Sequence, residues 1–257
     1  MQKTSWGNVA GWYDELIEQK PGNYQKDLIL PNLLRLVAPQ KGDKILDLAC
    51  GQGFFSREFW KKGADVIGLD ISPELIALAE SKIKQEKKIA NGIRFGVAPA
   101  DALKTVDDGT VDKITVVLAI QNIENMNGTF GECTRVLKPG GKIYLVMNHP
   151  AFRIPKESSW EYDEKNKTQF RRIDAYMSES RSEMQMHPGA KPSEVTISFH
   201  RPLQVYFKAM RRAGLAEIGF EEWISNKRSG RGPRAGAEDN ARSEIPIFLF
   251  MEAVKLK

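Results

Sequence analysis

Residues 45–56, ILDLACGQGFFS, constrain this chain more than any other stretch. Ile45, Leu46, Asp47 and Leu48 form a nearly continuous apolar run, the pattern of a strand buried on both faces of a parallel sheet. The run passes into a turn of small residues, Ala49, Cys50, Gly51, Gln52 and Gly53, and then into the apolar helix start Phe54-Phe55. Glycines at a strand-to-helix turn permit left-handed torsions and let backbone approach a ligand. Asp47 is the one charge in the buried strand. A buried carboxylate is costly unless it is hydrogen-bonded or paired, so Asp47 requires a partner, either a nucleoside-type ligand or the amides of the turn. As a dinucleotide fingerprint the pattern is incomplete, because Ser56 stands where a third glycine belongs. These twelve residues alone fit a cofactor turn and an ordinary tight strand–helix connection equally well.

The rest of the chain adds context. A second apolar run, Val66-Ile67-Gly68-Leu69, ends on Asp70, about 20 residues after the glycine turn. An acid at that strand end faces the ribose of a nucleoside cofactor in a doubly wound sheet. Ser72, Pro73 and Glu74 then mark a capped helix start. Strand patterns recur at 92–98, 111–118 and 142–147. Asp101, in the loop after the third, suits either an adenine amino group or a turn cap. Strands and helices alternating from 44 to 147 specify a parallel sheet with helices on both faces.

Beyond 147 the regime changes. Residues 151–194 carry no clean period, yet Trp160, Tyr162, Phe170, Ile173 and Tyr176 can pack, so a lid or small subdomain inserted after the fifth strand is expected. A strand at 195–201 and a helix at 202–213 follow. Residues 215–225 and 245–255 read as two more strands. The polar, glycine-rich 226–244 between them reads as a loop too poor in pattern for a helix, which makes the two strands antiparallel. At the other end, Trp6, Val9, Trp12, Tyr13 and Leu16 recur at helical spacing, as core-packing aromatics or as a cap over a cofactor. Residues 26–38 form a second helical pattern, started or kinked by Pro31.

The 257 residues suit a single domain, 1–257, with 1–40 as a helical cap and 151–194 as the insertion. The first sixteen residues hold no apolar run of signal-peptide length, and no run approaches the ~18 residues of a membrane span. A cytoplasmic protein without a membrane partner is expected. Cys50 and Cys133 offer neither a disulfide framework nor metal-ligand spacing, so no metal is expected. A net charge of +5 permits a polyanionic partner without requiring one. The loop 226–244 holds Lys227, Arg228, Arg231, Arg234 and Arg242, partly offset by acids and without interleaved aromatics, which makes nucleic acid a poor partner.

Taken together, ILDLACGQG at 45–53, GLDIS at 68–72, Ala100-Asp101-Ala102 and RVLKPGG at 135–141 resemble the class I S-adenosylmethionine-dependent methyltransferases, of the type 11/25 kind, across roughly 40–150. The resemblance implies an α/β, Rossmann-like, seven-stranded, mostly parallel sheet with an antiparallel last strand. It implies S-adenosylmethionine as methyl donor and S-adenosylhomocysteine as product. Asp47, Ala49, Gly51 and Gly53 then line the methionine end, Asp70 with Ile71 holds the ribose, and Ala100, Asp101 and Ala102 border the adenine. Gln121 faces the sulfonium or the acceptor, and Tyr13 belongs to the amino-terminal cap. The tetrapeptide typical of amino-methylating nucleic-acid enzymes is replaced by Ala119-Ile120-Gln121-Asn122.

A small-molecule acceptor enclosed by 151–194 is the leading expectation, by a monomer or homodimer. An RNA or protein methyltransferase using the basic loop and a non-catalytic donor-binding protein are the alternatives. Methyl transfer from a sulfonium is an in-line displacement that needs positioning and sometimes a base. His149, at the end of the fifth strand, and His200 are the candidate bases, with His187 behind them. Asn148, His149, Arg153 and Arg201 are the candidate acceptor contacts, the arginines as clamps for a carboxylate or phosphate.

Overall fold

The computed structural model describes residues 5–86, 91–186 and 194–256. Its centre is a seven-stranded sheet. Five parallel strands come first: β1 Lys44–Leu48, β2 Asp65–Asp70, β3 Ile93–Val97, β4 Val111–Val117 and β5 Leu137–Asn148. The insertion contributes β6 Ser158–Asp163, β7 Thr168–Ile173, β8 Ser180–Gln185 and β9 Val195–His200. β10 Leu215–Trp223 and β11 Phe248–Lys255 close the chain, giving the sheet order β10-β11-β5-β4-β1-β2-β3. β11 is antiparallel to both β5 and β10, as the sequence implied.

The α-helices among the described residues are α1 Ser5–Asn8, α2 Ala10–Glu18, α3 Leu30–Val37, α4 Phe54–Lys61, α5 Pro73–Gln85, α6 Met126–Val136, α7 Leu203–Arg212 and α8 Ala235–Glu244. Two buried clusters occupy the two faces of the sheet. β5 shows why: Ile143, Leu145 and Met147 join Phe130 of α6 and Met210 of α7 on one face, while Tyr144 and Val146 join Leu33 of α3 and Phe59 of α4 on the other. Successive side chains of a strand point to opposite faces, so one buried strand anchors both layers. Pro31 falls at the start of α3, directly after a π-helical turn at Gln25–Ile29. A proline has no amide hydrogen to continue the regular ladder, and the Asn32 amide side chain donates to Leu28 O at 3.1 Å there.

Two expectations need correction. Residues 151–194 contain regular structure, because β6 pairs with β7 and β8 pairs with β9 as antiparallel hairpins. None of the residues of β6, β7 or β8 is fully buried, so no inward-facing row of apolar residues betrays them. The β8 partner lies at 195–200, so the inserted unit runs past 194. Second, α8 stands in the stretch read as a loop. Of its residues AGAEDNARSE only Ala241 is buried, and a helix without an apolar stripe leaves no periodic signal.

The glycine of β2 is fixed by packing. A Cβ on Gly68 would fall 2.5 Å from Phe95 Cδ1 and 3.0 Å from Cys50 Sγ. The same ring lies 2.7 Å from where a Gly53 Cβ would stand. Phe95 of β3 thus presses β2 against the turn after β1. Gly68→Ala is expected to lower stability by about 1–3 kcal/mol, the usual cost of overpacking. Thermal melts check it: the same substitution should cost clearly less in a Phe95→Ala background, and an equal cost in both would remove Phe95 as the cause.

Candidate functional site

The carboxyl ends of β1, β2 and β4 meet the amino-terminal helices around a cavity of about 460 Å³, within the roughly 300–1,000 Å³ range of small-molecule sites. Its floor is the turn after β1. Ala49 and Gly51 there have φ of 57° and 56°, and Leu118, just past β4, has φ of 55°. All three line the cavity. Left-handed torsions in an alanine and a leucine cost of order 1–3 kcal/mol each and gather where function over-determines the backbone. A Cβ on Gly51 would also lie 3.4 Å from the Tyr13 ring.

Asp70 forms the next wall. Its Oδ2 accepts from the Gly51 amide at 2.9 Å and its Oδ1 from the Ser72 amide at 2.9 Å. Each carboxylate oxygen keeps further acceptor capacity. Burial raises the Asp70 pKa, opposed by the amides of Ser72, Gly51 and Ile71. Beside it Ile71 leaves 53% of its surface exposed, an apolar side chain open to the cavity. Ala100 and Asp101 complete this side. Asp101 Oδ2 accepts from Asn125 Nδ2 at 2.7 Å, and Asn125 Oδ1 in turn caps α6 through the Gly128 amide.

The amino-terminal helices make the roof. Trp6 and Tyr13 meet edge to face at 5.4 Å, and both line the cavity. α2 is held in place by charge: Glu18 pairs with Arg57 of α4 and with Lys82 of α5, and Asp14 pairs with Lys82 at 2.8 Å. Burial, and then the carboxylates of Asp70 and Asp47, push the Tyr13 pKa above its ordinary value, which keeps the phenol neutral.

A second chamber of about 600 Å³ adjoins the first and shares Trp6, Tyr13, Leu118 and Asn122 with it. Asn148 and Arg153 lie on its wall, as does Gln121, which was expected to face the sulfonium or the acceptor. Gln121 Nε2 donates to Leu118 O at 2.8 Å, while its buried Oε1 has no partner among the described residues. Asn122 Nδ2 donates to Ile197 O at 2.8 Å, which ties β9 to the partition between the two spaces.

Several expected residues sit elsewhere. Asp47 lies beneath the cavity and does not line it. Within the fold its partners come from α4 and β4 rather than from the glycine turn. Ser56 Oγ donates to Oδ2 at 2.5 Å, and Thr115 Oγ1 donates to Oδ1 at 2.9 Å. Gly53 packs against Phe95, and Ala102 shapes its loop by donating to Pro99 O at 3.1 Å; neither lines the cavity. His149 is 1% exposed and reaches neither space. Its Nδ1 accepts from the Ala151 amide at 3.2 Å, which leaves Nε2 to donate to Glu222 Oε1 at 2.7 Å. With both nitrogens committed it has no lone pair for a substrate proton. His200 Nε2 donates to Tyr176 O at 2.8 Å, off both linings. Arg201 donates to Ile123 O and Glu124 O at 2.9 and 2.8 Å, bracing the segment behind the first cavity rather than clamping a ligand. His187 lies outside the described residues.

Sequence reasoning missed Leu118 and the run Ile123, Glu124 and Asn125, all on the first lining. A positive φ at a leucine leaves no trace in sequence. The polar residues after β4 were a signal, since ligands of open α/β sheets bind at that edge.

Residues 46–145 match the sequence model of a family described as a methyltransferase domain. The chain is 30% identical over 117 residues to the demethylmenaquinone methyltransferase of Tropheryma whipplei, covering 45% of this chain and 46% of that protein. It is 28% identical over 142 residues to the ubiquinone biosynthesis O-methyltransferase of Bordetella avium, covering 53% and 56%. It thus spans about half the length of the curated relatives it matches. The crystal structure of an S-adenosylmethionine-dependent methyltransferase from Mesorhizobium loti superposes with a TM-score of 0.70 at 26% identity, covering 90% of this chain and 100% of that one.

The buried Asp47 generates a pH prediction. Burial lifts its pKa from 3.8 to about 6, and the Ser56 and Thr115 hydroxyls only partly offset this. The folded form therefore binds the proton more tightly than the unfolded one. Its contribution to stability is full below 3.8 and is lost as pH rises towards 6. Asp47→Asn keeps an acceptor for the hydroxyls and removes the titration. Urea midpoints across that window should fall less steeply with rising pH in the variant than in the wild type.

Proposed function

We propose that this chain, whose residues 46–145 match a methyltransferase domain, is a class I S-adenosylmethionine-dependent methyltransferase, that its first cavity holds S-adenosylmethionine and that the adjoining chamber holds a small-molecule methyl acceptor. The observation that carries this reading is the Asp70 carboxylate. It ends β2 on the cavity wall, fixed by two backbone amides and still able to accept, with Ile71 open beside it. A carboxylate there suits a ribose diol, and an apolar side chain next to it suits a purine face.

The donor supplies a methyl group already activated on a sulfonium. The chain supplies the setting. Asp70 accepts from the sugar hydroxyls, Ile71 and Ala100 flank the base, and Asp101 accepts at its edge. The neutral Tyr13 ring and Trp6 offer aromatic faces, which attract a cation, and they close the roof against water. Gln121, with its unused Oε1, offers an acceptor from the neighbouring chamber. His149 and His200 reach neither space, so positioning and water exclusion are the chain's main contributions. Acceptors whose attacking atom is unprotonated near neutral pH fit this arrangement best.

The relatives' names refer to quinones, which is in keeping with a small-molecule acceptor. The alternative of an RNA or protein target through 226–244 loses its support. Arg242 pairs with Glu238 and Asp239, Arg234 with Glu164, and Lys227 lies over the Tyr24 ring. Arg234 and Arg242 are thus paired within the protein, and Lys227 is held against a ring.

Calorimetry with S-adenosylhomocysteine tests the donor site. The wild type should bind, and Asp70→Ala should weaken binding by at least ~1.5 kcal/mol, the scale of a lost charged hydrogen bond. Absence of binding to the wild type would overturn the assignment.

A further inference from the structure

We propose that the methyl acceptor carries an oxyanion, a carboxylate or a phosphate, which is bound by Arg153 and Arg171 in the chamber beside the donor cavity. This rests on the assignment of donor and acceptor spaces above. Both arginines line the chamber of about 600 Å³, and both also line an adjoining cleft of about 290 Å³, so they form a wall common to the two. Lys156, held at φ 65°, adds a third cation to the chamber. Among the described residues no Asp or Glu lines either space.

Several cations elsewhere in this protein that are drawn into the structure carry their own carboxylates, whereas the buried Arg201 is held by backbone carbonyls. Arg57 pairs with Glu18, Lys82 with Asp14, Lys113 with Asp43 and Arg135 with Glu132. Arg153 and Arg171 make no ion pair among the described residues. Arg171 is held by neutral groups: Nε donates to Phe152 O at 2.7 Å, Nη2 donates to Ser158 Oγ at 2.6 Å, and the guanidinium lies 5.3 Å over the Trp160 ring. Arg153 lies 5.7 Å over the Phe248 ring. These contacts orient the two groups without neutralising them. Arg153 is exposed at the chamber, where neighbouring protein still partly desolvates its charge. Arg171 is disfavoured by burial and then by Arg153 itself. Two neighbouring guanidiniums without a counter-ion are a standing cost that a bound oxyanion removes. Their planar forks match carboxylate and phosphate geometry, and the fixing of Arg171 before binding reduces the entropy lost on association.

The two spaces are sorted by charge. Among the described residues the donor cavity is lined by Asp70, Asp101 and Glu124 and by no Lys or Arg; the chamber shows the reverse. A cationic donor and an anionic acceptor are the pair such a division selects. The passage between them is made by Trp6, Tyr13, Leu118 and Asn122, outside the insertion that carries the arginines. The anionic end and the reacting end of the acceptor are therefore held by different segments of the chain.

The test uses the full chain saturated with S-adenosylhomocysteine and three probes of similar shape, benzoate, phenyl phosphate and benzyl alcohol, titrated by calorimetry or ligand-observed NMR. The wild type should bind at least one anion and should bind benzyl alcohol far more weakly; the preferred anion tells carboxylate from phosphate. Arg153→Gln should weaken the anion by about tenfold or more, Arg153→Lys by less, with affinity for S-adenosylhomocysteine unchanged in both. Arg171→Gln should act in the same direction. It also removes bonds to Phe152 and Ser158, so its melting temperature is recorded, and Arg153→Gln decides if that variant does not fold. Equal binding of benzyl alcohol and the anions, or wild-type anion binding by Arg153→Gln, overturns the proposal. A wild type that binds S-adenosylhomocysteine but no anion overturns it alone. A wild type that binds anions but no S-adenosylhomocysteine overturns the donor assignment, and the acceptor role with it.

Discussion

The site depends on one carboxylate that joins two strand ends. Asp70 closes β2, yet its Oδ2 takes the amide of Gly51 from the turn after β1, and its Oδ1 takes the amide of Ser72, which caps α5. The carboxylate therefore fixes the turn, the helix start and its own orientation together. Only a residue with a left-handed φ can present its amide from Gly51's place in that turn, and only a small one leaves room for Tyr13 above it. The remaining lone pairs of Asp70 are aimed by structure that exists before a ligand arrives. Pre-organisation of this kind reduces the cost of binding.

A second carboxylate supports the first from below. Asp47 is buried at 1% exposure and bonded to the hydroxyls of Ser56 and Thr115. These bonds join β1, β4 and the first turn of α4 at the level of the cavity floor. Burial of a charge so close to Asp70 has a cost, visible in its raised pKa. Two hydroxyl donors offset part of it, and the strands are held in register around the place where β1 must end and the turn begin. Ser56, which spoils the dinucleotide pattern, is what completes this arrangement.

The fold was legible in the sequence where burial was two-sided. β1, β2, β4 and β5 read as apolar runs because both faces are covered, and the antiparallel finish was expected from a connection read as a loop, which in fact holds α8. Asp70, Gly51 and Asp101 drew attention because they sit at fixed places on that frame, Ile71 and Ala100 came from the resemblance, and all five line the first cavity. Tyr13 came from the resemblance of its segment. The hairpins of 158–200 and α8 were hidden because their surfaces are mostly wet, so the pattern that reports burial never forms. His149 and His200 misled for a related reason. Position along the chain places a side chain at the ligand edge but does not say which way it turns, and both turned into the protein to satisfy their ring nitrogens. Arg201 also turned inward, with its Nη2 on two backbone carbonyls. Arg153 faces the chamber, and no local spacing distinguishes it from Arg201.

The difference between those arginines separates scaffold from recognition. Arg201 gives its donors to the carbonyls of Ile123 and Glu124 and so stiffens the wall of the donor cavity. Its charge is dispersed over backbone that every ligand meets alike. Arg153 and Arg171 keep their charge for the chamber, on the far side of a partition from Asp70, Asp101 and Glu124. Fields of opposite sign in adjoining low-dielectric clefts act strongly over short distances, since interactions between charges strengthen as water is excluded. A cationic ligand is drawn to one space and repelled from the other, and an anionic one behaves in reverse. Such sorting orders the two ligands before any hydrogen bond is formed. It also makes the insertion after β5, rather than the sheet, the part of the chain on which acceptor choice turns.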